Sequence, residues 1–372
     1  MAMRTIRWIP GWLPACTFVL ALVACGGGGS SGMMSFGTSY VATSLVSDIG
    51  AGSANPYSSA NVDPRLINAW GIAFNPQGFV WVADAGTSTA TLYDGNGVPQ
   101  SLVVTIPAGA AGSASPTGIV FNASSGFQVT QGGVTGSSIF IFVGEAGTVS
   151  GWAPTVNPNS AIKVVDRAAN GTIYKGLAHA TQGGADFLYA TDFHNGVVDV
   201  FDSTFTKLAT PGAFTDANLP AGYAPFGIQA IGNLIYVSFA KQDAQAENHV
   251  DGAGLGAVDV FDATGALVKR LIPVGGRLDA AWGMTMAPVN FGIFSNALLV
   301  ANFGDGKINA FDPVSGTFLG ALSNPDGSPI AIDGLWGLAF GNGLNAQPTS
   351  TLFFTAGPAA ETHGVYGRIV SR

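Results

Sequence analysis

Trp70-Gly71-Ile72-Ala73-Phe74 is the stretch on which the fold turns, because the chain repeats it five more times. The later copies are Thr117-Gly118-Ile119-Val120-Phe121, Lys175-Gly176-Leu177-Ala178-His179, Phe226-Gly227-Ile228-Gln229-Ala230, Trp282-Gly283-Met284-Thr285-Met286 and Trp336-Gly337-Leu338-Ala339-Phe340. Successive glycines are 47, 58, 51, 56 and 54 residues apart. A period of this size marks a supersecondary unit that cannot bury its own faces and must stack on its neighbours.

Each copy opens the same order of elements. A second strand follows at Val80 to Ala83, Ile139 to Val143, Phe187 to Thr191, Leu234 to Phe239, Ala297 to Ala301 and Thr351 to Thr355. After a polar loop comes a third strand, often ending in an aromatic and an aspartate: Tyr93-Asp94, Phe201-Asp202, Phe261-Asp262 and Phe311-Asp312. Fourth strands are expected at Ser101 to Ile106, Ala161 to Val165, Phe205 to Ala209, Ala266 to Ile272 and Thr317 to Leu322. Four antiparallel strands per unit make a propeller blade. The class is therefore all-β, a six-bladed β-propeller over residues 39–372. The sixth unit has no fourth strand of its own. Tyr40 to Val46 has strand character and is expected to supply it, closing the ring and covering two edges that otherwise invite aggregation.

The repeated residues have physical readings. Glycine in the innermost strand permits close backbone approach at the crowded channel. The aromatic before it packs between blades or over the channel mouth. The aspartates after the third strands accept turn N–H groups as Asx-turns.

Outside the repeats, residues 1–24 read as a lipoprotein signal peptide. Arg4 and Arg7 precede an apolar run from Trp12 to Ala24, too short to span a ~30 Å hydrocarbon core as a helix. It ends in Leu22-Val23-Ala24-Cys25, which resembles a lipobox, with Cys25 as the lipidated residue. Residues 25–38 form a Gly/Ser-rich tether, a flexible composition. The second cysteine, Cys16, lies inside the signal, so the domain carries no disulfide and rests on its core. The expected location is the cell envelope, with the outer membrane favoured because Gly26 is not an Asp retention signal.

Charge narrows the partners. The chain has 14 Lys and Arg against 22 Asp and Glu, and its net charge of −8 becomes −10 without the two leader arginines. Nucleic acid needs a basic footprint and is excluded. The membrane contact expected is the lipid on Cys25 only, and the domain is expected to be monomeric.

Chemistry concentrates on one face. In a blade, the loop from second to third strand and the link to the next blade emerge together. The second-to-third loops hold Asp84, Glu145, Asp192-Phe193-His194-Asn195, the long segment 241–256 with Asp243 and His249, Asn302-Phe303-Gly304-Asp305, and Glu361-Thr362-His363. Three of the four histidines and eight of the 22 acids lie there. The candidate ligand-binding set is Asp84, Glu145, Asp192, His194, Asn195, Asp243, His249, Asn302 and Asp305. Asp192, His194, Asn302 and Asp305 could hold a divalent metal such as calcium, since carboxylates and carboxamides suit a hard cation. Asp192, His194 and Asp305 are the catalytic candidates. The bland alternative is that these groups bond loop backbone. His179, where other copies carry Phe, reads as a packed histidine. No HExxH, EF-hand loop or GxSxG occurs.

Asn68-Ala69-Trp70-Gly71-Ile72-Ala73-Phe74, Trp81-Val82-Ala83-Asp84, Thr91-Leu92-Tyr93-Asp94-Gly95, Asn302-Phe303-Gly304-Asp305-Gly306 and Phe353-Phe354-Thr355-Ala356-Gly357-Pro358 carry a resemblance. The chain resembles an uncharacterised bacterial family of exported six-bladed propeller proteins with NHL-like repeats. The resemblance implies the fold and export, and no activity. The loop-rich face instead gives three expectations, in order: a binding module at the cell envelope for a small-molecule, glycan or protein ligand, a metal-dependent hydrolase of lactonase or esterase type, and a purely structural envelope protein.

Overall fold

The computed structural model describes residues 37–51 and 56–372. The leader, Cys25 and most of the expected tether lie outside the described residues. Among the described residues no helix is long and apolar enough to cross a membrane.

The described chain is nearly all β and forms six blades around a channel. The innermost strands are Ala69–Phe74, Pro116–Phe121, Tyr174–Gln182, Tyr223–Ile231, Ala281–Met286 and Leu335–Phe340. Each carries one copy of the repeated unit and pairs antiparallel with the second strand of its blade. The sixth blade is completed from the other end of the chain. Tyr40–Ser47 runs antiparallel to Val365–Ser371, with Tyr40 opposite Ser371 and Ser47 opposite Val365. Its anchor is Tyr40, fully buried, whose hydroxyl donates to the Phe291 carbonyl at 2.9 Å and accepts from Phe294 N–H at 3.2 Å. Burial pushes this phenol up to about 12.

Six buried apolar clusters hold the ring, each between two adjacent blades. Leu45 and Val46 of the closing strand join Val80, Val82, Phe353 and Tyr366 between blades six and one. Burial of apolar surface therefore works across blades, which is why a blade alone would not fold.

The repeated glycines sit where the inner strands come closest. A Cβ on Gly71 would lie 2.6 Å from the Thr117 carbonyl oxygen, one on Gly118 2.6 Å from Leu177 N, and one on Gly176 2.9 Å from the Phe226 oxygen. Gly227 and Gly283 face the Trp282 and Trp336 carbonyl oxygens more closely still, and Gly337 faces the Trp70 oxygen at 2.8 Å. The six positions thus form a girdle of backbone-to-backbone contact around the channel. Second-strand hydroxyls tie parts of it. Thr191 Oγ1 donates to the Phe226 oxygen at 2.7 Å, Ser238 Oγ to the Ala281 oxygen at 2.7 Å, and Thr355 Oγ1 to the Trp70 oxygen.

Two details differ from expectation. Blade three has three strands, and the segment expected at Phe205 to Ala209 makes a single bridge, Phe201 to Lys207. Phe205 adopts φ 62° and turns inward onto Phe127, ring centroids 5.2 Å apart, which pulls the backbone out of line. Blade two carries an extra hairpin, Gln128–Gln131 with Val134–Ser137, turned by Gly132 and Gly133 at φ 59° and 82°. A Gly-Gly pair is suited to the left-handed turn that a two-residue hairpin requires.

Candidate functional site

Four of the residues just before the girdle glycines, Trp70, Phe226, Trp282 and Trp336, meet at one end of the channel. Trp70 stacks on Trp336 with ring centroids 3.7 Å apart, and Trp282 and Phe226 lie edge-on to Trp336 at 6.0 and 5.9 Å. Trp282 reaches across from blade five to blade three, where its indole N–H donates to the Lys175 carbonyl at 2.8 Å. Trp70 and Trp336 are buried, and together these rings make a solid deck that seals the channel. The aromatic preference of that repeat position is thus explained by closure of the mouth.

Blade three puts lysine, and blade two threonine, where the other four blades carry rings. Lys175 is only 2% exposed. Its ammonium lies 5.4 Å from the Trp70 ring centroid and pairs with Glu145. Ring face and carboxylate together compensate a charge that burial would otherwise penalise. A polar layer covers the deck. Trp336 Nε1 donates to Asn68 Oδ1 at 3.1 Å, and Asn68 Nδ2 donates to Glu361 Oε1 at 3.1 Å. Burial, reinforced by the nearby Glu145 charge, raises the Glu361 carboxyl. The long segment 241–256 drops His249 between Phe226, Phe303 and Trp336, at 5.0, 4.6 and 5.9 Å between centroids, with Asp251 3.2 Å from its Nε2.

Glu145 and His249 therefore stand over the channel axis, as members of the deck's polar cover. The other candidates bond their own loops or the link that precedes their blade. Asp84 is buried and accepts from Thr89 and Thr91 hydroxyls, both at 3.2 Å; burial raises its carboxyl well above the usual range. Asp192 accepts from Ile173 N, Asn195 N and Asn195 Nδ2 at 3.3, 3.2 and 2.8 Å, and burial raises it too. His194 points back to Gly171 of the preceding link. Asp243 accepts from Glu247 N at 2.9 Å. Asn302 donates to the Arg277 carbonyl at 2.9 Å and to Asp305 at 3.0 Å, and Asp305 pairs with Lys307 at 2.9 Å. His363 meets Asp48 at 2.7 Å.

The expected metal set is therefore not assembled. Asp192 and His194 belong to blade three, Asn302 and Asp305 to blade five, and each pair ties its own loop to the link before its blade. Among the described residues no three His, Cys, Asp or Glu side chains gather as a metal group. The reason is register. Asp84, Asp192 and Asn302 all end second strands, where a polar side chain bends back to bond the loop rather than inward to the channel.

The opposite end of the channel is open. A funnel of about 320 Å³ lies between the C-terminal ends of the inner strands, lined by Phe74, Phe121, Phe340, His179, Gln229 and Thr285 among others. Deeper in, a void of about 30 Å³ separates it from Trp282.

No protein-family model matches the chain. The uncharacterised protein R648 of Acanthamoeba polyphaga mimivirus is 36% identical over 319 residues, covering 84% of this chain and 76% of that protein. The chain belongs to the R648 family. A second mimivirus protein, the uncharacterised L690, is 33% identical over 319 residues, covering 84% of this chain and 82% of its own. These relatives are viral proteins and give no support to the bacterial family that the resemblance implied. Among solved structures, a Bacteroides thetaiotaomicron protein of unknown function aligns with a TM-score of 0.53 at 10% identity, over 89% of this chain and 76% of that one. That likeness shows the propeller architecture.

The sequence reading passed over Lys175, quoted in its repeat without a role, and Gln229 and Thr285. A signal existed. Two residues after the girdle glycine, four copies carry Ala or Val, whereas copies four and five carry Gln229 and Thr285.

Proposed function

We propose that this R648-family propeller is a non-catalytic binding module that presents its loop-rich face to a glycan or protein ligand. The observation that carries the reading is the sealed deck. A hydrolase working at this mouth would need a cavity beside its acids and histidines, and Trp70, Trp336 and Trp282 occupy that space. What remains is a filled surface with half-buried Trp282, Phe303 and His249 at its centre and acidic groups around them. Amphipathic rings of this kind suit contact with an extended partner. We further propose that the module works at the cell envelope, held by a lipid on Cys25.

The test compares Phe303→Ala with the wild type in calorimetric titrations against envelope polysaccharide and against candidate protein partners. Loss of binding in Phe303→Ala with unchanged melting is the expected result. Turnover of dihydrocoumarin or p-nitrophenyl acetate, with or without calcium or zinc, that falls with Asp192→Ala or Asp305→Ala would replace this reading by the hydrolase. For the anchor, labelled palmitate should enter the wild type and not Cys25→Ser.

A further inference from the structure

The open funnel is built differently from the face just described. Its walls come from the last residues of the inner strands, each held on one side by pairing with the second strand of its blade. Phe74, Phe121 and Phe340 are partly exposed and present ring surface at the rim, and Ile72, Ile119 and Leu338 lie deeper. No Lys, Arg, Asp or Glu is among its lining residues. The polar side chains are His179, Gln229 and Thr285, and backbone N–H and C=O groups on the unpaired edges of the inner strands add neutral polar surface. His179 Nε2 is buried against Asp186, 3.4 Å away, whose carboxylate also takes the Thr181 hydroxyl at 2.6 Å.

We propose that this funnel is a second binding site, which takes a neutral, flat aromatic molecule that packs against the Phe74, Phe121 and Phe340 rings. The absence of charged lining disfavours an ion, because desolvating one without a counter-charge is costly. Size sets the rest. The volume of about 320 Å³ is about twice the ~150 Å³ cavity that holds benzene, so two or three rings fit. It also falls in the range of about 300–1,000 Å³ typical of small-molecule sites. The sealed deck makes the funnel blind, so a ligand enters and leaves by one mouth and sits with one end near Gln229. Burial lowers the His179 imidazole, which keeps it neutral, with one donor and one acceptor nitrogen near pH 7. The site is independent of the loop-rich face, and either assignment can fail alone.

The probe is 6-bromo-2-naphthol, a neutral two-ring phenol whose bromine can be located by anomalous scattering. Calorimetric titration of the full chain should show one saturable site. Ala230→Phe and Ala339→Phe, at the half-exposed lip, should each weaken binding at least tenfold, and Phe303→Ala on the far face should leave it unchanged. Soaked crystals of the wild type should place bromine between Phe74, Phe121 and Phe340. The proposal is overturned by absence of saturable heat, by bromine elsewhere on the protein, or by affinity that survives both lip variants. If either lip variant fails to fold, the bromine position alone decides.

Discussion

Gly118→Ala puts the girdle to a test whose sign is fixed in advance. Gly118 lies in the inner strand of blade two and has no left-handed φ, so alanine is conformationally free to replace it. On backbone entropy alone the change would stabilise the protein by about 0.4–1 kcal/mol. Space says the reverse. The new Cβ would lie 2.6 Å from Leu177 N, 2.7 Å from Leu177 Cβ and 2.9 Å from Val143 Cγ2. Reaching an ordinary contact near 3.4 Å requires the inner strands of blades two and three to separate by about 0.8 Å. A closed ring cannot open one interface without compressing or tilting the others. Overpacking of this kind costs about 1–3 kcal/mol. With an unfolding entropy of about 2.1 cal/mol/K per residue, the roughly 330 described residues give ~0.7 kcal/mol/K, so Tm should fall by about 1.5–4 °C. Calorimetry should compare it with Gly276→Ala, an exposed glycine whose Cβ would meet only the Pro273 oxygen at 3.6 Å. A Gly118→Ala protein that melts at or above the wild-type temperature would refute the argument from close approach.

Other expectations follow from the same packing. Deleting residues 38–48 should leave the edge of Val365–Ser371 unpaired, giving an insoluble protein or a strongly lowered Tm in a solubility and melting assay. Tyr40→Phe should cost about 1–3 kcal/mol in denaturant titration, because Phe291 O and Phe294 N lose a buried partner. Burial pushes Asp259 up to about 6, so its folded form holds a proton that the unfolded chain has released; stability should decline as pH rises from about 4 to 6, and Asp259→Asn should flatten that slope in melting curves. The turn aspartates act in the opposite sense. The Thr264 hydroxyl and backbone bonds hold Asp262 below the usual range, so its contribution is present above about pH 4 and lost as pH falls through the lowered value; Asp262→Asn should make the protein less acid-sensitive below pH 4.

The fold was legible because its devices repeat. Six glycines, six second strands and a spare N-terminal strand leave few arrangements, and the Asx reading of the aspartates also held. Asp94, Asp202, Asp262 and Asp312 each accept two turn N–H groups, as between Asp202 and Thr204 and Thr206 at 2.9 and 3.0 Å. The site was less legible. Polar residues crowd the loop-rich face, yet sequence gives no depth, and Asp192 and Asn302 bend into their own loops while the repeat's rings fill the mouth. The open cavity lies at the opposite end, among inner-strand positions such as Ala178 and Ala339 that carry no chemical signal in the sequence. Blade three escaped because Phe205 has the pattern of a strand residue but finds a better partner in Phe127.

Acrylamide quenching of tryptophan fluorescence tests the sealed mouth most directly. A chain beginning at residue 26 keeps five tryptophans, of which Trp70, Trp81, Trp152 and Trp336 are at most 6% exposed. In the Trp282→Phe variant the account predicts emission that acrylamide barely quenches, because Trp70 and Trp336 are stacked face to face beneath His249 and Phe303. Quenching approaching that of a free indole would show an open channel, and would return the loop-rich face to the catalytic reading.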